Sequence, residues 1–283
     1  MFKTIGVIGA GQMGNGIAHV FAIQRHPVIL CDLTEGRLQA ALATIRANLE
    51  RQVRKGVVAG EDVDEIIGRI FPTTRLNDMA AADFVMEAVP EDEALKISIF
   101  RMLDEIVQPG VILATNTSSI SINRIAEASA HPERVIGMHF MNPAPVMGLV
   151  EVIRGRSTGI WAFAATAELV SGLGKEMVVS ADSPGFIVNR LLIPMINEAV
   201  ILLQEGTASA EDIDKGMRLG AGHPMGPLAL ADLIGIDTVV AIADLLHRSF
   251  KEEKYRPCPI LAEMVEAGKL GRKSGRGFYI YKK

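Results

Sequence analysis

The chain has 283 residues, of which 49% are hydrophobic and two are cysteine, and a formal net charge of −4. That length holds one large domain or two medium ones with ample core, the mild acidity speaks against a nucleic-acid surface, and no apolar run nears the ~18 residues of a membrane span. Cys31 and Cys258 form no disulfide framework and no metal-ligand spacing, and residues 1–4 run straight into a strand without an export signal; a cytoplasmic protein with no metal is expected.

Residues 4–14 read as a buried strand entering a tight glycine turn and then a helix. In Gly9-Ala10-Gly11-Gln12-Met13-Gly14, Gly9 permits the turn and Gly11 lets the backbone approach a pyrophosphate. Gly14 lets the helix pack on the strand, so that helical N–H groups around Gln12 and Met13 point at phosphates. A second strand over 28–32 ends on Asp32, about 20 residues on, where an acid accepts hydrogen bonds from an adenosine ribose. Its charge would repel a 2′-phosphate, which favours NAD. The competing reading is a glycine-rich turn without a ligand.

Further strands are expected over 84–88, 111–114, 135–139, 149–153 and 177–179, mostly as continuous apolar runs. Such runs suit a parallel, doubly wound α/β sheet covered by helices on both faces. Before residue 84 lies a long insertion. Leu38, Leu42, Ile45, Leu49 and Val53 recur at helical spacing, and Val63, Ile66, Ile67 and Ile70 form a shorter run. This predicts a helical hairpin standing off the sheet and turning around residues 56–60.

After Ser180 the pattern changes, with a boundary expected between 183 and 184. A long apolar helix is expected over 186–206, kinked at Pro194. Ser209-Ala210-Glu211-Asp212 reads as a capping box, and runs over 228–247 and 260–267 complete an all-α domain, 184–283. Its helices are apolar on more than one face, which points to a homodimer through this domain; packing within the chain is the alternative.

Six histidines are candidates for proton transfer. His19 and His247 sit on helices where packing or capping explains them, while His26, His131 and His223 precede prolines in turns. His139 ends the strand 135–139 and projects from the carboxyl edge, where open α/β sheets bind ligands. The turn through Pro143 and Pro145 returns the strand 149–153 alongside, and Glu151 is a lone acid within it. A buried carboxylate needs a partner; facing His139 it would fix the ring's tautomer and stabilise the imidazolium. The alternative is a structural His and an edge-strand Glu. Ser118, in the hydroxyl-rich turn after 111–115, reads as a substrate contact or a helix cap. Asn189, one turn inside the first helix of the second domain, reads as a cleft residue or a surface amide.

Taken with Ala114-Thr115-Asn116-Thr117-Ser118-Ser119, Gly137-Met138-His139-Phe140-Met141-Asn142-Pro143, Pro184-Gly185-Phe186-Ile187-Val188-Asn189-Arg190 and His223-Pro224-Met225-Gly226-Pro227-Leu228, these segments closely resemble the 3-hydroxyacyl-CoA dehydrogenase family over essentially the whole chain. The likeness is greatest to its short bacterial 3-hydroxybutyryl-CoA members. The resemblance implies a Rossmann-type domain (1–183), a helical substrate and dimerisation domain (184–283), and NAD-dependent interconversion of (S)-3-hydroxyacyl-CoA and 3-ketoacyl-CoA. It makes His139 the acid/base, Glu151 its orienting partner, and Ser118 and Asn189 contacts of the reacting oxygen. Asp32, Glu91, Lys96, Ser118, Asn142 and Lys273 join the glycine turn in the cofactor shell. Read alone, the tail around Lys273 is only a basic, flexible stretch.

For coenzyme A the resemblance points to the hairpin, where Lys55 matches the family's lysine and Asn48 stands where relatives can carry a serine. Arg51 and Arg54 could hold phosphates there or merely suit a helix C-terminus. Gly148 departs from the bulkier residue expected before Leu149. Three rival readings stay open at this point: the same chemistry on 3-hydroxyadipyl-CoA or another acyl group, a dehydrogenase of free 3-hydroxy acids, and a dinucleotide-binding protein without turnover.

Overall fold

A computed structural model describes residues 2–59 and 62–281. The chain divides into two compact units between Ser183 and Pro184. In the first, an eight-stranded sheet runs in the order β3-β2-β1-β4-β5-β6-β7-β8. Its strands are β1 (Ile5–Ile8), β2 (Val28–Cys31), β3 (Ile70–Thr73), β4 (Phe84–Glu87), β5 (Ile112–Thr115), β6 (Val135–Phe140), β7 (Leu149–Arg154) and β8 (Glu176–Ala181). Neighbours are parallel except β6 and β7, which run antiparallel. The central strands are buried along their whole length, as expected where helices cover both faces.

The helices of this unit are α1 (Gln12–Ile23), α2 (Glu35–Arg54), α3 (Val63–Gly68), α4 (Glu93–Ile106), α5 (Ile122–Ala126) and α6 (Ile160–Gly172). Side chains start three of them: the Thr34 hydroxyl accepts from Arg37 N–H, Asp92 from Leu95 N–H and Ser121 from Arg124 N–H. Ile17 and Phe21 of α1 pack into one core with Leu38, Ala41, Ile45 and Leu49 of α2 and with Val7, Leu30 and Phe84 of the sheet. Each such side chain contributes roughly 1.5–3 kcal/mol.

Two expectations are corrected here. The insertion does not stand off the sheet, because one face of α2 belongs to the main core. Its second arm is only six residues long, and Ile70, read as the end of that arm, opens strand β3 and pairs with Val28. Of the expected turn at 56–60, residue 60 lies outside the described residues.

The second unit comprises α7 (Val188–Gln204), α8 (Ala210–Gly220), α9 (Pro227–Ile234), α10 (Ile236–Phe250) and α11 (Pro259–Glu266). Ile193, Ile196, Val200, Leu228, Val239, Leu246 and Leu261 form its core. Ser209 caps α8 by accepting from Asp212 N–H at 3.1 Å. The run over 228–247 is two helices and not one: Gly235 has φ +104°, a left-handed conformation that a helix cannot pass through. The C-terminal stretch is anchored, contrary to the flexible reading. Asp232 accepts from Phe278 N–H and Tyr279 N–H, each at 2.9 Å, and from the Tyr281 hydroxyl at 3.0 Å. No helix among the described residues is long and apolar enough to cross a membrane.

Candidate active site

The parallel strands β1, β4, β5 and β6 all end at one edge of the sheet, so the turns that follow them share that edge. After β1, Gly9 takes φ +98°. A Cβ on Gly14 would lie 1.7 Å from the Gly9 carbonyl oxygen, so the helix packs on the strand only with glycine there, whereas nothing lies within 4 Å of a Cβ on Gly11. No side chain caps α1. A tight turn, open space beside Gly11 and an uncapped helix start together fit a pyrophosphate. Beyond β2, the Asp32 carboxylate accepts from Ala10 N–H and from Leu33 N–H, both at 2.7 Å. Arg37 lies 3.3 Å from it. Asp32 thus ties the second strand to the glycine turn, a bond that its position in the sequence did not reveal.

On β6 and β7, His139 and Glu151 are directly opposed in the antiparallel register. Opposed residues project to the same face, and His139 Nδ1 lies 2.7 Å from Glu151 Oε2. Both side chains are buried, Glu151 completely. The pair is therefore built by strand register. Following β6, Gln12 donates to Asn142 Oδ1 at 3.2 Å, which joins the exposed Asn142 to the start of α1. Lys175 Nζ donates to the Ala144 and Met147 carbonyls at 2.8 and 2.6 Å and holds the intervening turn.

After β5 the hydroxyl-rich turn gathers on one acid. Glu91 Oε1 accepts from Thr117 Oγ1 at 2.6 Å, Ser118 N–H at 2.9 Å, Ser118 Oγ at 3.3 Å and Ser119 Oγ at 2.7 Å. Ser118 is not a helix cap, since Ser121 fills that role for α5. Burial raises the Glu91 carboxyl, but nearby Lys96 and these hydrogen bonds outweigh it and hold the acid below its ordinary range.

Lys96 is almost wholly inaccessible, with 1% of its side chain exposed. Its amine donates to Glu87 Oε1 at 2.6 Å and lies 3.5 Å from Glu91 Oε2. Glu87 also accepts from Val89 N–H at 2.7 Å and from the Thr115 hydroxyl at 2.6 Å. Its burial is complete, and desolvation pushes its carboxyl up against the pull of Lys96 and these hydrogen bonds. Sequence reasoning missed Glu87. The signal was available: like Glu151, it is a lone acid in an otherwise apolar strand, Phe84-Val85-Met86-Glu87.

On α2, Asn48 accepts from Arg51, and Lys55, exposed, caps the helix one turn further on. These three share a face, as their spacing of three and four requires. In the second unit, Asn189 is the second residue of α7, in its first turn and not one turn inside it. Lys273 Nζ lies 2.6 Å from Asp237 Oδ2, next to the Gly235 break.

Comparison with known proteins agrees with this geometry. Residues 4–183 match the family model "3-hydroxyacyl-CoA dehydrogenase, NAD binding domain", and residues 185–281 match the "3-hydroxyacyl-CoA dehydrogenase, C-terminal domain". The chain is 52% identical over 282 residues to a 3-hydroxybutyryl-CoA dehydrogenase of Bradyrhizobium diazoefficiens, covering 100% of this chain and 96% of that one. It is 48% identical to a counterpart from Clostridioides difficile, covering 99% of each. The solved (S)-3-hydroxybutyryl-CoA dehydrogenase PaaH1 from Ralstonia eutropha superposes with a TM-score of 0.95 at 47% identity over 100% of both chains.

Proposed function

Because the chain belongs to the 3-hydroxyacyl-CoA dehydrogenase family, we propose how its residues divide that family's work. The protein is an NAD-dependent enzyme that interconverts (S)-3-hydroxybutyryl-CoA and acetoacetyl-CoA. The observation that carries the assignment of roles is the opposed His139–Glu151 pair at the carboxyl edge.

Bound NAD supplies the hydride acceptor for oxidation of C3, and in the reduced form the donor. Gly9, Gly11, Gln12, Met13 and Gly14 hold its pyrophosphate, Asp32 the adenosine ribose, and Glu91, Ser118 and Asn142 the nicotinamide side of the shell. His139 takes the C3 hydroxyl proton during oxidation and returns it to the ketone oxygen during reduction. Glu151 holds Nδ1, which leaves the other ring nitrogen as the one that works, and it balances the positive charge the ring acquires. Ser118 hydrogen-bonds the reacting oxygen. From the second unit, Asn189 is assigned to that oxygen and Lys273 to the cofactor on the family resemblance alone. Lys55, Asn48 and Arg51 are assigned to the coenzyme-A portion.

The second unit is also the one we assign to homodimer formation, since Leu191, Leu219 and Leu233 are all at least half exposed on it. The cytoplasm, where NAD and acyl-CoA thioesters are available, is the proposed location.

The test mixes purified protein with NADH and acetoacetyl-CoA and follows loss of the reduced nicotinamide signal, with free acetoacetate in parallel. Rapid oxidation with the thioester alone is expected. Turnover of free acetoacetate would remove the coenzyme-A assignment, and NADH binding without turnover would point to another acyl group.

A further inference from the structure

Two separate routes run from one buried acid to the turn that carries Ser118. The first passes through Lys96, whose amine bridges Glu87 Oε1 at 2.6 Å and Glu91 Oε2 at 3.5 Å, and Glu91 in turn receives the N–H and hydroxyl of Ser118. The second passes through Thr115, whose hydroxyl donates to Glu87 Oε2 at 2.6 Å and accepts from Thr117 N–H at 3.2 Å. Backbone bonding reinforces both, as Asn116 N–H donates to the Glu87 carbonyl at 2.8 Å. Lys96 Nζ, Val89 N–H and the Thr115 hydroxyl therefore all converge on one fully buried carboxylate.

Such an arrangement is expensive to bury, and a hydrophobic strand end would pack as well without it. What it offers is geometry: three directional bonds fix where β4, α4 and the turn after β5 meet. We infer that Glu87 is a positioning residue of the reaction, a buried anchor that sets the Ser118 hydroxyl through Lys96–Glu91 and through Thr115. Lys96 belongs to the same device; with its amine enclosed, it acts on the site through the two acids. The inference rests on the proposed contact between Ser118 and the reacting oxygen.

The test is a double-mutant cycle. An amide at 87 keeps the shape but removes the charge that Lys96 faces and replaces one of the two accepting oxygens with a donor. Glu87→Gln should lower kcat roughly 10²-fold, the loss that a misplacement of about 1 Å can cause. In a Ser118→Ala background the same substitution should change kcat by less than about 3-fold, because the group it positions is already gone. NADH binding, read by fluorescence, should follow the same non-additive pattern on a smaller scale. Thr115→Val is the second variant. It cuts one route while leaving the Glu87–Lys96 pair intact, and should show a smaller kcat loss that also disappears with Ser118→Ala.

Equal losses from Glu87→Gln with and without the Ser118 hydroxyl would overturn the inference, as would a drop in melting temperature with unchanged kinetics. If Glu87→Gln does not fold, the Thr115→Val pair decides by the same rule. A Ser118→Ala enzyme with full kcat would instead remove the Ser118 reading itself, and this inference with it.

Discussion

The first unit buries two histidines in opposite company. His19, on α1, is fully enclosed; its Nε2 lies 3.3 Å from the Gln52 amide oxygen and its Nδ1 has no partner among the described residues. His139, on β6, faces the Glu151 carboxylate at 2.7 Å. Burial without a countercharge disfavours the imidazolium, and it lowers His19 from 6.5 to about 4, with the Gln52 hydrogen bond pulling weakly the other way. At His139 a carboxylate stands where His19 has only an amide. The same side chain is thus a neutral packing element in one place and, in the role proposed above, a proton carrier in the other.

The largest effect that would test this contrast is on turnover. His139→Gln keeps a hydrogen bond to Glu151 but cannot exchange a proton, so kcat should fall toward ~10⁴-fold, the upper end of what general acid–base catalysis contributes. NADH binding should stay within about 2-fold of the parent. Steady-state assays with acetoacetyl-CoA, together with fluorescence titration of NADH, check this. A parallel collapse of binding and turnover would make the residue structural and erase the contrast.

His19 should answer through stability. Its folded pKa lies below its unfolded value, so in acid the unfolded chain binds a proton that the folded one refuses. The stability tied to this residue is complete above pH 6.5 and is lost as pH falls toward 4. Over that window the loss amounts to roughly 3 kcal/mol at about 1.4 kcal/mol per unit. His19→Gln should flatten the fall of the melting temperature between pH 6.5 and 5 while leaving kcat near the parent. An unchanged slope would show that other groups govern the acid response.

Glu151→Gln sharpens the comparison from the other side, by giving His139 the amide partner that His19 already has. Its effect should be smaller than removing the base itself, ~10²-fold in kcat, near the lower end for general acid–base catalysis. A kcat within about 3-fold of the parent would mean that the carboxylate only packs.

The His139–Glu151 pair was legible in the sequence because both residues interrupt apolar strands joined by a proline-rich turn short enough to bring them side by side. Glu87 interrupts an apolar strand in the same way, but its partner Lys96 lies on a helix, where lysine ordinarily reads as solvent-facing. Only the packed structure reveals the enclosure. Strand β3 was missed for a related reason. It pairs along one side only, and Phe71 is 54% exposed with Pro72 beside it, so its four residues carry little of the buried-strand signal. The break at Gly235 lies between Ile234 and Ile236, and apolar residues on both sides hide a conformational change that only φ records. Continuous buried strands and the glycine turn needed no such help, since every residue in them serves the same packing.

The smallest effects belong to the exposed end of α2, where solvent screens charge. Arg51 is already held by Asn48, and Lys55 stands exposed beyond it. A surface ion pair is worth about 0–1 kcal/mol, so Lys55→Ala should raise KM for acetoacetyl-CoA by no more than roughly 5-fold and leave kcat and NADH binding alone. Arg51→Ala should act in the same direction and additionally free Asn48. Screening separates this from the buried sites: in about 1 M salt the Debye length shrinks to ~3 Å, and the KM difference between parent and Lys55→Ala should nearly vanish while the His139→Gln loss persists. A KM increase that survives high salt would place the Lys55 contact in an enclosed pocket, and so move it to the same side of the comparison as Glu151.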